Sequence, residues 1–400
     1  MISLKTLTTP PDAQLRNLGW DWMLGQDTLP YLTDEVVMVK PGEADAYHNA
    51  ANELFSMFVA AGQHVIDENR FAELGIPNNL IDLIKLSWDD DRHIHLYGRF
   101  DLASGLTGPA GSALQLGAPS IKLIEFNADT ATCLPETAVV QYAHLKANGL
   151  DESHQFNNVF EALTAQFKEI LTVNSDLQST LLLSAMRDFP EDDANVTLLG
   201  EAAREAGFEI EFDFVDNVEF SADEGIFWQN PKNGQFEKMD FWFKLIPWEA
   251  IAEDEPELLE ILTQIVRKRL ALVLNPAYTL LFQSKYILKI LWELYPNHPL
   301  LLETDTKPLA GMACVEKVLF GREGANTRIL NADGSERQAV DGTYSHHAKI
   351  YQQYTQFPTD TTGHTYQAGV FYAGEACGLG FRKGELILDN GASFVGHIIE

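Results

Sequence analysis

Leu54, Met57, Phe58, Ala61 and Val65 recur at helical spacing, which predicts one amphipathic helix whose apolar face is core. A different period begins at His93. His93, His95, Tyr97, Arg99 and Asp101 share one parity; Ile94, Leu96, Gly98, Phe100 and Leu102 share the other. Alternation of this kind predicts a strand with one polar and one apolar face. Ile121 to Asn127 reads as a second strand after a loop rich in Gly, Ala and Ser, from Ala103 to Ser120. That loop can close the two strands as an antiparallel pair or leave them apart.

Pro135 suits the first turn of the next helix and Asn148-Gly149 its end. Leu181–Ala185, Val196–Ala206 and Phe208–Val215 then read as strand, helix and strand, a βαβ-like unit. Ile226–Phe236 carries the turn signals of a hairpin, and Met239–Ile246 reads as a strand. Pro256 opens a helix expected to run to about Leu274, where Asn275-Pro276 stops it. Ser284 is a candidate cap for a helix through Trp292. Short strands follow in CVEKVLFGREG, KIYQQYTQF, YQAGVFYAG, ACGLGFR and ELILDNGASF, and no internal repeat is visible. Strands and helices mix along the whole chain, so the expected fold class is α/β or α+β.

With 400 residues, the chain suggests two or three domains or one large composite domain. The hydrophobic fraction of 46% is enough for a sizeable core. Lys plus Arg is 28 and Asp plus Glu is 58, a net charge of −30. Nucleic acids and anionic membranes select a basic footprint, so neither is an expected partner. The charge leaves cationic partners open, although an acidic solvated surface is the favoured explanation and the charge is only a supporting hint. Cys133, Cys314 and Cys377 make no CxxC pair and no disulfide scaffold. The N-terminus has no signal-peptide pattern, and no apolar run approaches the length of a membrane span, so a cytoplasmic soluble protein is expected.

Two constellations can carry chemistry. Arg99 and Asp101 lie two apart on one strand, and Glu125 and Asn127 two apart on the other. If the strands are neighbours, two carboxylates and an amide oxygen converge beside a guanidinium. All-oxygen ligation suits a hard ion such as Mg²⁺; solvent-facing polar residues on half-buried strands are the bland alternative. His93 and His95 form an HxH pair with no third ligand. The second constellation is Lys285, Lys317 and the glycine-bounded loop GREG, Gly321 to Gly324. Such a loop lets backbone N–H groups approach phosphate, and lysines neutralise it. An ordinary glycine turn fits GREG as well. There is no GxxxxGK[ST], no GxGxxG opening a helix and no GxSxG, so a P-loop, a Rossmann site and a nucleophile elbow are not indicated.

Five motifs in order, LYGRFDL, IEFNADTAT, QSKYILKILW, FGREGAN and ACGLGFR, resemble the synthetase domain of the glutathionylspermidine synthase family, over roughly Trp20 to Glu400. The resemblance implies an ATP-grasp fold, permuted because Glu125-x-Asn127 precedes Lys285 and Lys317, with an additional pre-ATP-grasp-like α/β region. It implies an ATP-dependent ligase that joins a carboxylate to an amine. It assigns Asp101, Glu125 and Asn127 to Mg²⁺ and Lys285 and Lys317 to ATP. Arg99 would face the reacting phosphoryl group and Arg382 would contact phosphate. Gly321 and Gly324 would sit in a lid loop over the triphosphate, and Gln352 to Tyr354, with Gln353 between them, near the adenine. Thr130 and Thr132 would offer hydroxyls to a peptide-like acid, and Lys244 and Glu249 fall where the family binds substrates; a structural salt bridge is the alternative for the latter pair. An acceptor amine would meet local carboxylates near Glu249 or Glu136.

The chain departs from the family in ADTAT and in Lys317-Val318, where members often have Lys-Pro. These departures leave the acid and amine unnamed, with a glutathione-like peptide and a polyamine-like amine as the implied pair. GRFD already falls at Gly98 to Asp101, which leaves no room for the amidase domain of bifunctional members, so no amidase activity is expected. The expected organisation is residues 1–175 with the metal-site strands, 176–274 as a substrate-side α/β domain, and 275–400 as the ATP-binding part with the lid. A nucleotide-binding protein with weak ATPase activity and a regulatory or partner role is the competing class. Oligomeric state is not legible.

Overall fold

The computed structural model describes residues 1–19, 32–107, 120–389 and 391–400. Most of the connection from Ala103 to Ser120 therefore lies outside the described residues, as do Trp20 and its neighbours.

The expected amphipathic helix is Pro41–Asp67. Pro41 stands in its first turn, and the Glu43 carboxylate accepts from the Lys40 backbone N–H at 2.9 Å, holding the helix start. Its apolar face, including Leu54, Phe58 and Ala61, is fully buried. That face packs on a five-stranded antiparallel sheet ordered Ser393–Val395, Glu375–Gly384, Thr365–Ala373, Gly98–Ala103, Lys122–Asn127. The two strands left open by the sequence are thus direct neighbours. Phe100 and Phe126 are cross-strand partners, stacked at 3.9 Å, and Phe58 meets both rings edge-on. Because side chains alternate across a strand, this apolar parity turns Arg99, Asp101, Glu125 and Asn127 to the opposite face.

The strand begins at Gly98 rather than His93. The Leu96 and Tyr97 N–H groups donate to Asn275 Oδ1 at 2.7 and 3.3 Å, and the Tyr97 carbonyl accepts from Asn275 Nδ2 at 3.0 Å. One side chain therefore satisfies backbone groups that a neighbouring strand would otherwise take.

A second sheet is parallel, ordered Leu272–Leu274, Phe241–Lys244, Thr180–Ala185, Glu209–Phe214. Helices Val159–Val173 and Pro190–Ala206 cover the face that carries Leu181, Leu183 and Phe241. Helix Pro256–Arg267 covers the face that carries Leu182, Trp242 and Val273. Burial on both faces explains the near-continuous apolar runs of these strands. It also corrects the helix expected to reach Leu274. The helix ends at Arg267, Arg269 turns with φ +56, and Leu272–Leu274 is a strand. The expected hairpin forms from Gly225–Gln229 and Phe236–Met239.

The third large sheet is antiparallel, ordered Thr304–Asp305, Lys349–Gln353, Cys314–Val318, Thr327–Leu330, Glu336–Val340. The Lys285 N–H donates to the Leu319 carbonyl at 3.0 Å, which docks the segment before helix Ile287–Leu294 onto the end of strand Cys314–Val318. Ser284 does not cap that helix, whose N-cap is Tyr286 with no side-chain cap bond; the Ser284 hydroxyl donates to the Leu74 carbonyl at 2.7 Å and accepts from the Tyr286 N–H at 3.4 Å. Among the described residues of the expected ELILDNGASF strand, only Ser393 and Phe394 are extended, in strand Ser393–Val395. Among the described residues no helix is long and apolar enough to cross a membrane. The mixed α/β class agrees with the pattern along the chain.

Candidate active site

A cleft of about 420 Å³ opens between the polar face of the central sheet, the end of the parallel sheet and the Cys314–Val318 sheet. Its floor is the cross-strand quartet. Asp101 stands opposite Glu125, and Arg99 opposite Asn127. Arg99 grips Asp101 with two hydrogen bonds, Nε to Oδ1 at 2.7 Å and Nη2 to Oδ2 at 3.1 Å. Its third donor, Nη1, reaches the Thr132 carbonyl at 2.6 Å. The Arg99 side chain runs over Gly369, the residue paired with Asp101 on the adjacent strand; a Cβ there would meet Arg99 Cδ at 3.0 Å. Asn127 Nδ2 donates to Asp101 Oδ2 at 3.1 Å, which turns the amide oxygen away from that carboxylate.

The lysines converge on the same floor from separate elements. Lys285 Nζ lies 3.2 Å from Glu125 Oε2 and donates to the Gly321 carbonyl at 2.7 Å. Lys317 Nζ donates to Gln352 Oε1 at 2.8 Å and to the Ile124 carbonyl at 3.1 Å. Gln352 Nε2 in turn donates to the Leu123 carbonyl at 3.0 Å, so a buried amide bridges the two sheets. Burial works to raise the Glu125 carboxyl, but the charges of Lys285 and Lys317 outweigh it and hold it below the ordinary carboxylate range. Burial pushes Lys317 down to about 8, opposed by Glu125 and assisted by Lys285. Desolvation works against the Arg99 charge, and Asp101 overcomes it, leaving the guanidinium firmly protonated.

Thr130, Thr132, Gly321, Gly324, Gln352, Gln353, Tyr354 and Arg382 also line the cleft. Arg382 donates to the Asp389 carbonyl at 2.6 Å. Gly324 needs its own residue type, with φ +70 and a would-be Cβ 2.5 Å from the Leu388 carbonyl oxygen.

Lys244, Glu249 and Glu136 are not among the residues lining the cleft. Lys244 is 0% exposed and pairs with Asp129, Nζ to Oδ1 at 3.1 Å. Burial drives both groups of this pair toward their neutral forms, and each opposes that drive in the other. The Trp248 N–H also donates to Asp129 Oδ2 at 3.0 Å. Glu249 is buried and accepts from Arg322 Nη2 at 2.5 Å. Lys244 and Glu249, expected in the substrate region or in a structural salt bridge, each form an ion pair, though not with each other: their partners sit on cleft segments, Asp129 beside Thr130 and Arg322 inside GREG. Glu136 is buried in the helical segment Glu136–Val140.

Several cleft residues had not been singled out. Arg322, Gln283, Asp192 and Gln367 all line it. Burial, aided by Glu191, Asp193 and Glu323, pushes Asp192 up to about 6. Gln283 was legible in principle, two residues before Lys285; Asp192 was hidden in an acidic helix start, PEDD, that reads as ordinary solvation.

Among the described residues no group of three His, Cys, Asp or Glu is placed to hold a metal ion. Asp101, Glu125 and Asn127 are a different donor set, two carboxylates and an amide, all oxygen.

Residues 4–400 match the family model described as "Glutathionylspermidine synthase preATP-grasp". The chain belongs to the glutathionylspermidine synthase family. Its similarity extends to a Haemophilus influenzae protein named "Putative acid--amine ligase", 30% identical over 97% of each chain. It is 25% identical to the Escherichia coli bifunctional glutathionylspermidine synthetase/amidase, over 79% of this chain and 53% of that one. It is 23% identical to the Crithidia fasciculata trypanothione synthetase, over 84% of this chain and 52% of that one. The chain thus matches about half the length of these last two relatives.

Proposed function

We propose that this chain is an ATP-dependent carboxylate–amine ligase. The observation that carries the reading is convergence: Asp101, Glu125 and Asn127 meet Lys285 and Lys317 on one cleft floor, from two sheets and a helix start. A triphosphate needs cations from several elements and a hard-ion site beside them. The all-oxygen donors suit Mg²⁺, and Asp101, Glu125 and Asn127 would hold it. When bound, that ion would neutralise phosphate charge.

The chain's own residues do the remainder. Lys285 and Lys317 bind the phosphates. Gly321 and Gly324 bring backbone close over them, and Gln352, Gln353 and Tyr354 hold the base side. Arg99, gripped by Asp101 and running over Gly369, orients the reacting phosphoryl group, with Arg382 on the far wall. The acid's carboxylate oxygen attacks the γ-phosphorus and ADP leaves, giving an acyl phosphate. The amine nitrogen then attacks the acyl carbon, phosphate leaves, and the nitrogen loses a proton to give the amide. Positioning and charge stabilisation supply the acceleration, and closure of the glycine loop keeps water from the acyl phosphate. Thr130 and Thr132 contact the acid.

The names of the relatives, and the net charge of −30, favour a peptide or glutathione-like acid and a polyamine-like amine. No amidase activity is proposed. The division into residues 1–175, 176–274 and 275–400 follows the same reading, with the metal strands in the first part and the lysines in the third. The test is ATP consumption: it should rise sharply only when acid and amine are added together. A nucleotide-binding protein with a regulatory or partner role would consume ATP weakly and show no such stimulation.

A further inference from the structure

Gln283 ends the short helix Thr279–Gln283, is 8% exposed, and lines the cleft two residues before Lys285. Its Oε1 accepts two consecutive backbone N–H groups, from Ala128 at 2.9 Å and Asp129 at 3.3 Å. Both partners are donors, so the atom facing them has to be the oxygen; a flipped amide would set donor against donor. The chemistry of the backbone thereby fixes which way the amide points. Its Nε2 has no acceptor among the described residues and is not sealed away from solvent. It carries two N–H donors on a side chain whose other end is clamped.

The clamp matters for what it holds. Ala128 and Asp129 follow Asn127 directly and lead into Thr130 and Thr132. Asp129 is locked from beneath by Lys244 and the Trp248 N–H. Gln283 grips the same loop from the lysine side. A residue needed only to satisfy two loop N–H groups can end in an oxygen alone; Gln283 adds a donor group on a side chain that lines the same cleft as Lys285 and Glu125.

We infer that Gln283 binds an anionic oxygen of the reacting groups through its Nε2 while its Oε1 positions the Ala128–Thr132 loop. The oxygen comes either from the acid's carboxylate or from a nucleotide phosphoryl group. The inference rests on the ligase reading above and adds to it a residue that joins the loop offered to the acid with the lysine offered to ATP. Electrostatically, a fixed amide donor is suited to charge that develops on oxygen, because it needs no reorganisation during reaction.

The test compares Gln283→Glu with the unmodified chain. Glutamate keeps an oxygen for the Ala128 and Asp129 N–H groups but presents oxygen to the cleft, so the fold should be retained and the melting curve little moved. If the bound oxygen is phosphoryl, calorimetric affinity for ATP with magnesium should fall about tenfold or more. If it belongs to the acid, ATP affinity should hold while kcat/KM for glutathione falls on the order of 10²–10³. Gln283→Glu with native ATP affinity and native kcat/KM overturns the inference. Should the unmodified chain consume no ATP with any acid and amine, the ligase reading fails by itself. The inference is then decided on the Gln283 side-chain amide resonance, identified by its loss in Gln283→Glu. A shift on adding ATP with magnesium, or glutathione, supports it, and no shift with either refutes it.

Discussion

Asp101 and Glu125 are cross-strand partners on the antiparallel pair Gly98–Ala103 and Lys122–Asn127, yet they are neutralised by different cations. Arg99 holds Asp101 from its own strand, whereas Lys285 reaches Glu125 from another part of the fold. Two carboxylates side by side would repel if both were ionised. Splitting their counter-charges gives each carboxylate its own cation, in keeping with the divalent-cation site proposed above.

Glu125→Ala should therefore remove ATP turnover by at least about 10²–10³-fold while leaving the fold intact, because its other role is only to counter two lysines near a wet cleft. Steady-state ATP consumption and a melting curve check this. A melting temperature that collapses together with activity would make Glu125 a structural residue.

Lys317 gives a pH signature. Its folded value of about 8 lies below the ordinary lysine range, so between the two the unfolded chain holds a proton that the folded chain has lost. This group's contribution to stability must then rise with pH from about 8 into the lysine range. Its affinity for phosphate should fall over the same interval, because the cation disappears. Opposite trends in melting temperature and ATP affinity, both absent in Lys317→Met, are the expected result. Lys317→Arg, charged throughout, should abolish the decline in affinity.

Gly324→Ala tests the close approach of the loop. The left-handed backbone costs a non-glycine residue about 1–2 kcal/mol, and the added Cβ would press on the Leu388 carbonyl oxygen at 2.5 Å. The variant should be modestly less stable and should raise KM for ATP. Native KM with native stability would remove the loop from the nucleotide site.

The Lys244–Asp129 pair separates structure from recognition. Lys244→Met leaves a buried carboxylate without its cation, a loss of about 3–5 kcal/mol. Adding Asp129→Asn should recover much of it. Denaturant unfolding of both variants measures the difference. Full stability of Lys244→Met with weakened substrate binding would restore a direct substrate role.

These outcomes separate what the chain made legible from what it hid. Alternation around Phe100 and Phe126 announced both strands, because a sheet face packed on a helix must be apolar on every second residue. Their pairing was not legible, since the sequence between them, from Ala103 to Ser120, is too long for a hairpin turn to set the register. Leu270–Leu274 misled because a short apolar run suits a buried helix end and a parallel strand equally well. Lys244 carried an overlooked signal: a lysine inside FWFKLIPW sits in a strand buried on both faces, where a cation needs an internal anion. That anion, Asp129, is 115 positions away, and such pairing follows from tertiary packing rather than local pattern. Gln283 stands in plain view two residues before Lys285, but a glutamine's role follows from what faces each end of its amide, and that is set by packing.

The acceptor amine is the point on which charge can speak. A net charge of −30 attracts a polycation, and attraction over distance is screened beyond roughly 8 Å at physiological salt. Bulk charge therefore acts chiefly on encounter rate, and discrimination requires carboxylates at the cleft. Asp192 and Glu323 are the acidic lining residues outside the Asp101 and Glu125 pair. If the acceptor is polyamine-like, its KM should rise clearly with salt, while the KM of a monoamine of equal length rises less. The contrast isolates charge from chain length, because both amines offer the same nucleophile. It also has a pH component. Asp192, pushed up to about 6, would lose its charge as pH falls through that value, weakening the polyamine preference. Kinetics for both amines at two salt concentrations and across pH 6 measure this directly. A neutral amino acid that proves the best acceptor, with no response to salt, would refute the polyamine reading and leave the ligase assignment to stand on the cleft alone.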